Sequence, residues 1–461
     1  MAATGRSARM NAASWAQRIH RLTSGNGLRA QLLRGGVGSL SVKLASVLLG
    51  FVLAVILART LGPEQYGVYG FVLTLVTLIA IPAQVGLPHL VVRETAKAGA
   101  SQDWALMRGI WRWATRYVAV TSLVLLLLVG AGLYFAGQNL SEARYQALII
   151  ALPLIPLIAL GNIRGAALRG LRRVVLGQLP EKVIRTAVLI LLALGFLTWG
   201  VGAGYDFTAN TALGLYVAAA AVAFIMGAWL LWRARPEGVV HEPTLRTEGR
   251  EWQRAVLPLA LISGVQVLNS HVDVLFLGLL RSDEEVGLYR VVIQLGNLVI
   301  FGLTAINMVL HPHISRLHQQ GNREALQRMV TNSARVILLL ALPPVVLFVF
   351  FGEWVLVLAF GEGYTSAHVA LAILALGQLV NAGMGSVGAL LNMTGHERDT
   401  MRGMLMALAL NVALNLLLIP LFGIEGAALA TAMTFATWNV FLWRLVWKRL
   451  GIKSTAIAGS R

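Results

Sequence analysis

Residues 61–70 read LGPEQYGVYG, and 220 positions later residues 281–290 read RSDEEVGLYR. Overlaid at that offset, 64–80 and 284–300 share Glu64/Glu284, Gly67/Gly287, Tyr69/Tyr289, Val72/Val292, Leu75/Leu295 and Leu78/Leu298. Each copy sits in a short polar turn and leads straight into an apolar run. The same element therefore begins twice, and the chain reads as two related halves.

Composition says what kind of halves these are. Hydrophobic residues make up 57% of the 461 and charged residues 13%, against about 45–50% and about 25% in an average soluble protein. The mean hydropathy is +0.72. The apolar residues gather in runs of roughly 20, the length a helix needs to cross a hydrocarbon core about 30 Å thick. Twelve such runs stand near 37–59, 67–90, 113–136, 146–166, 183–203, 209–232, 255–280, 286–310, 333–351, 366–392, 403–422 and 424–446. The run 146–166 carries Pro153 and Pro156, and only a turn around FGIEG separates 403–422 from its successor. Prolines and glycines inside spans are tolerated where neighbouring helices re-satisfy the freed backbone groups.

The net charge of +18 invites a nucleic-acid reading, and its distribution argues against one. With the N-terminus placed in the cytoplasm and twelve alternating spans, 32 of the 38 Lys and Arg fall in cytoplasmic segments. The exceptions are Arg59, Arg144 and Arg281 in extracytoplasmic turns and Lys43, Arg116 and Arg290 within spans. This is the positive-inside bias, which puts both termini in the cytoplasm. Cysteine is absent, so neither disulfides nor a thiolate metal site enter the reading. The acid-free basic start, including SWAQRIHRL, reads as a cytoplasmic tail able to lie on an anionic leaflet, with a mitochondrial transit peptide as the alternative.

Each copy of the repeat falls between the first and second helix of a six-helix set. The sets are 37–232 and 255–446, joined by the cytoplasmic linker RARPEGVVHEPTLRTEGREWQR at 233–254 and flanked by basic tails at 1–36 and 447–461. Six is even, so both sets point the same way across the membrane. The pattern predicts an all-α polytopic membrane protein of about 12 transmembrane helices, in two six-helix lobes related by a pseudo-two-fold axis along the membrane normal. Several transporters share that plan and bind substrate between the halves.

The second helix of each set carries a polar stripe, Thr74, Thr77 and Gln84 in one and Gln294, Asn297 and Thr304 in the other. Spacings of three and seven keep each trio on one face. Such a face turns toward water or protein, so the stripes either line a cavity or hydrogen-bond between helices. Charges inside spans cost about 2.5–3.5 kcal/mol each at the membrane centre and call for partners. Lys43 either snorkels to the interface or meets an anionic headgroup. Asp273 and Arg290 lie at similar depths across a short turn, so an ion pair is expected. Asn269 shares the face of Asp273, while His271 is expected to point elsewhere. GMGSVG at 383–388 fits GxGxxG but interrupts an apolar run with no strand before it, which reads as close packing or a kink. GIKST at 451–455 lacks the first glycine of a P-loop, and HPHISRLH at 311–318 reads as the cytoplasmic end of a helix. No cofactor and no enzyme activity are implied.

The stretches ARTLGPEQYGVYGF, VGLPHLVVRETAK, DVLFLGLLRSDEEVGLYRV, HPHISRLHQQGNREAL and NLLLIPLFGIEGAALATA resemble the Wzx-type oligosaccharide flippases. These form the polysaccharide-transport branch of the multidrug/oligosaccharidyl-lipid/polysaccharide exporter superfamily. The resemblance covers about 40–447. It implies two lobes forming a V around a central cavity. It also implies passage of an undecaprenyl-pyrophosphate-linked oligosaccharide from the cytoplasmic to the periplasmic leaflet of the bacterial inner membrane, for O-antigen, capsule or exopolysaccharide assembly. Polymerase and other glycan-assembly proteins are the partners that such a role implies, besides membrane lipids. Lys43 and Arg164 are then candidates to attract the pyrophosphate. The related lipid II flippases carry an adjacent Arg–Asp pair where this chain has Leu53 and Ala54, a departure that disfavours lipid II. A drug exporter of the same superfamily would need acidic cavity residues, and Asp273 is the one acid well inside a span. A membrane-embedded glycan polymerase would need more extracytoplasmic surface than the longest connection here, about 14 residues, provides.

Overall fold

Two glycines turn two overlong helices back on themselves. The structure, a computed structural model, describes residues 28–84, 86–137 and 140–456; residues 1–27 of the expected N-terminal tail, with SWAQRIHRL, and residues 457–461 lie outside them. The first half comprises α1 (Leu28–Gln84), α2 (Leu87–Ser101), α3 (Trp104–Ala136), α4 (Glu142–Ala151), α5 (Leu154–Gly170), α6 (Val174–Leu179), α7 (Arg185–Gly195) and α8 (Ala209–Ala234). After α9 (Glu237–His241) in the linker come α10 (Gly249–Leu280), α11 (Asp283–Val299), α12 (Phe301–Gln319), α13 (Arg323–Phe350), α14 (Gly352–Phe360), α15 (His368–Met384), α16 (Val387–Met393) and α17 (Glu397–Leu450). No strand occurs among the described residues.

The 47 residues from Gly38 to the end of α1 would measure about 70 Å at 1.5 Å per residue, more than twice a hydrocarbon core. Gly62, at φ 70° and ψ 172°, reverses the chain between two spans, a conformation that only glycine adopts readily. Gly423 (φ 57°) does the same in the 54-residue α17. Nine described helices are long and apolar enough to cross a membrane, or ten with α11 and α12 taken as one span bent by 44°. With α1 and α17 each supplying two crossings, all twelve expected segments have a helix.

Some boundaries differ from the sequence reading. The second span stops at Gln84 rather than 90, and Leu87–Ser101 is a separate helix that buries Leu87, Leu90 and Val91. The proline-bearing segment crosses as α4 and α5, broken at Leu152 and Pro153 and spanning 142–170. GMGSVG is a break at Gly385 (φ 73°) between α15 and α16, in agreement with the kink reading. The polar linker docks on α3: the Arg246 amide donates to the Ala105 carbonyl at 3.2 Å, and its guanidinium bridges Asp103 and Glu248. Trp252, fully buried, packs 5.3 Å from the Trp113 ring.

The two copies of the repeat meet each other. Each opens a helix: Pro63 and Glu64 follow the Gly62 reversal, where a proline costs no hydrogen bond. In the other half, Ser282 accepts from the Glu285 amide and Asp283, Glu284 and Glu285 fill the first turn of α11, placing negative charge on the positive end of the helix dipole. A Cβ at Gly67 would collide with the Asp283 carbonyl, and a Cβ at Gly287 would collide with the Pro63 carbonyl. Positions 63 and 283, like 67 and 287, are equivalent at the offset of 220. Equivalent residues that touch reciprocally lie on the axis relating them, so the pseudo-two-fold axis passes through this crossing of α1 and α11.

Candidate functional site

The seam around that axis is tied by arginines that break the positive-inside pattern. Arg290 of α11 donates from Nη1 to the Gly70 carbonyl at 3.0 Å, and its guanidinium lies over the Tyr66 and Tyr69 rings at 5.3 and 5.7 Å. Gly70 is the repeat equivalent of Arg290, and a Cβ there would collide with the arginine side chain. One half therefore supplies the arginine and the other the space for it. Arg144 of α4 holds Asp283 through Nε and Nη2 at 2.9 Å, donates to the Gly278 carbonyl at 2.8 Å and sits 4.7 Å from the Phe71 ring. Arg59 donates to the Leu358 and Ala359 carbonyls at the end of α14. Tyr364 returns a hydrogen bond to the Ala58 carbonyl at 2.9 Å. Arg281, the remaining arginine of these turns, acts within the second half on the Ile419 and Pro420 carbonyls that the reversal at Gly423 frees. At the opposite ends of the helices the halves touch again, where Gly86 (φ 71°) lies against the Leu259–Ala260 backbone.

The second half holds a polar cavity of about 530 Å³. Asn269, Asp273, Asn297, Gln378, Asn411 and Thr431 are among the residues lining it. Of these, Asp273 is buried. Its carboxylate accepts from Asn415 Nδ2 at 2.8 Å, from the Thr431 hydroxyl at 2.6 Å and from the Tyr289 hydroxyl at 3.3 Å. Asn411 lies one turn below, its Oδ1 accepting from Asn415 at 3.0 Å. Among the described residues no basic group comes within ion-pair distance of Asp273. Hydrogen bonds from neutral donors spread its charge, but a buried carboxylate without a cation is costly.

The expected Asp273–Arg290 pair does not form. Rotation about the helix separates them. Tyr289 points its hydroxyl at Asp273, and the next residue on an α-helix projects about 100° away, which carries Arg290 to the other half. His271, expected to face elsewhere, also borders the cavity. The polar stripes divide. Asn297 lines the cavity, Gln294 faces Gly50 across the seam, and Gln84 accepts from Asn162 at 2.9 Å within the first half. Thr74 is buried and Thr77 partly buried on α1. Asn269 donates to the Met404 carbonyl at 3.3 Å from the cavity wall.

Lys43 and Arg164 stand apart. Lys43 is half-buried on α1, near enough to Lys182 for their charges, with that of Arg169, to repel. Arg164 instead turns to α8, its guanidinium stacked 3.3 Å from the Phe224 ring and donating to the Phe224 carbonyl. The sequence reading missed Asn411, Asn415 and Thr431. Two asparagines four apart in an otherwise apolar span were the available signal, since that spacing places both on one face.

Two lobes of six helices, a reciprocal seam on their axis and a polar cavity among the helices of the second lobe define a two-lobed, all-α polytopic membrane protein. Residues 32–318, more than half the chain, match the family model described as polysaccharide biosynthesis protein, and the chain belongs to that family. A second model, MatE, matches 258–417. Among curated relatives, a probable low-salt glycan biosynthesis flippase, Agl15 of Haloferax volcanii, is 24% identical over 388 residues, 82% of this chain and 76% of the relative. Among solved structures, an inward-facing multidrug resistance MATE family transporter superposes with a TM-score of 0.73 at 16% identity, covering 90% of this chain and 99% of that one. The lipid II flippase MurJ in an inward closed conformation gives 0.66 at 13% identity, covering 89% and 87%.

Proposed function

We propose that the protein is a flippase carrying a polyprenyl-pyrophosphate-linked oligosaccharide, undecaprenyl-linked in a bacterium, from the cytoplasmic to the outer leaflet for surface-glycan assembly. The observation that carries this reading is the seam. Its polar contacts are side-chain bonds to backbone carbonyls and one ion pair, which can break and re-form, and they bridge the two lobes at one end, where rocking of the lobes would part them. The family and the glycan-flippase relative support a lipid-linked glycan over a drug. In this reading the repeat-bearing turns face outward and both termini are cytoplasmic, in the cell membrane, so the seam closes the outer end. Lys43, with Lys182 and Arg169, attracts the diphosphate on the cytoplasmic side. Asp273 and its cavity take up the proton or cation that accompanies return of the empty carrier. Outward movement of net negative charge is favoured by an inside-negative potential, about 2.3 kcal/mol per charge per 100 mV, so no ATP site is required.

The test uses a strain lacking the gene. Polyprenyl-linked oligosaccharides are extracted and probed in intact spheroplasts with a membrane-impermeant sugar-oxidising reagent. Accumulated units shielded from the reagent are the expected result, restored to normal by the wild-type gene and not by Lys43→Gln/Lys182→Gln at equal protein level. Accessible accumulated units would move the defect after translocation and sink the flippase reading.

A further inference from the structure

A second cavity, of about 640 Å³, opens on the flank of the first lobe between α3, α8 and the linker. Arg108, Arg112, Arg116, Arg164 and Arg235 line it, and no carboxylate does. The first three come from RGIWRWATR at 108–116, where the spacing of four stacks them along one face of α3. Like charges four apart on a helix repel by about 0.2–0.5 kcal/mol per pair, so this stripe calls for an anion. Arg112 and Arg116 are exposed, and neither has a hydrogen bond or ion pair among the described residues. Arg108 donates to the Glu242 carbonyl, Arg164 is held on Phe224, and Arg235 lies 5.6 Å from the Trp232 ring. Three of the five are thus committed to the protein, and the two uncommitted guanidiniums of Arg112 and Arg116 line the same space.

The next turns of both helices, toward the membrane interior, identify the ligand. On α3 the residues following Arg116 include Val120 and Leu123, and on α8 those preceding Trp232 include Ile225 and Trp229. All four are exposed, Leu123 by 57% and Ile225 by 66%. A basic pocket at the end of two spans, with bare aliphatic surface continuing from it and tryptophans at its edge, is built for an amphiphile lying in one leaflet. Tryptophan marks the headgroup level, and basic pockets between spans bind anionic headgroups.

We propose that this pocket binds the phosphate of an anionic bilayer phospholipid, whose acyl chains lie along α3 and α8. The site is separate from the seam and the second-lobe cavity, and its assignment does not depend on what the protein transports. Arginine suits the task because its planar fork bonds phosphate oxygens in pairs.

The test is native mass spectrometry of the purified full-length protein, titrated with phosphatidylglycerol or phosphatidylcholine. Wild type is expected to retain phosphatidylglycerol over phosphatidylcholine. Arg112→Gln/Arg116→Gln should bind phosphatidylglycerol roughly 30-fold more weakly, at about fivefold per basic residue. Its Tm in the same detergent without added lipid is expected to match wild type, since neither side chain has a partner to lose. Equal retention of phosphatidylglycerol by both proteins would overturn the proposal. So would displacement of phosphatidylglycerol from wild type by geranylgeranyl diphosphate at far lower concentration, which would give the pocket to the carrier's diphosphate instead.

Discussion

At the scale of single residues, Asp273 and Arg290 show how neighbours in depth acquire different work. Both are charges inside spans, yet Asp273 turns into its own lobe and Arg290 out of it. Asp273→Asn preserves shape and most hydrogen bonding while deleting the charge. We expect it to lower flipping in proteoliposomes about tenfold or more, equivalent to about 1.4 kcal/mol, and to flatten the dependence on pH or sodium. Wild-type ion dependence in the mutant would remove Asp273 from coupling. Thr431→Val leaves the carboxylate short of a donor, and a drop in stability of about 1–3 kcal/mol is expected from the lost partner. Thermal unfolding in detergent measures it.

At the scale of elements, the crossing of α1 and α11 depends on the absence of two side chains. Gly67→Ala sets a methyl group against the Asp283 carbonyl and should cost about 1–3 kcal/mol through overpacking. Gly130 of α3 has nothing within 4 Å of an added Cβ, so Gly130→Ala should be neutral or stabilise by up to about 1 kcal/mol. Equal Tm changes for the two variants would mean that the crossing is looser than described. The repeat made this crossing half legible: Gly67 and Gly287 stood out as equivalents, but nothing in a linear sequence says that equivalents touch. The boundaries that shifted, at Gln84 and at Leu152–Pro153, shifted for a local reason. An apolar run continues through a break in the backbone, and hydropathy does not register φ.

At the scale of the molecule, the seam joins the two lobes, and under the proposed function it acts as a latch between them. The chain has no cysteine, so Arg144→Cys/Asp283→Cys can be bridged by a short bifunctional thiol reagent without background. Bridging is expected to stop flipping, and cleaving a reducible bridge to restore it. Unimpaired flipping in the bridged protein would exclude parting of the lobes at this seam. Without a bridge, Arg144→Gln removes one partner of a mostly buried ion pair and should bias the lobes toward separation at this end by a few kcal/mol at most. The outcome is read as increased thiol labelling of Ala58→Cys, a buried position whose carbonyl accepts from Tyr364 across the seam, with Ala58→Cys alone as the reference.

What the sequence determined by itself is whatever depends on local hydropathy, charge sign and repetition: twelve crossings, two parallel halves and the axis between them. Each of these survives any rotation of a helix about its own axis. What the tertiary structure decided is azimuth and partnership. Asp273 meets Asn415 and Thr431, which lie 142 and 158 positions away, and Arg290 meets Gly70, 220 positions away. Arg164 turns to Phe224 rather than to Lys43. A stripe on one helix says which residues share a face, but only the packing of the other helices says what that face meets.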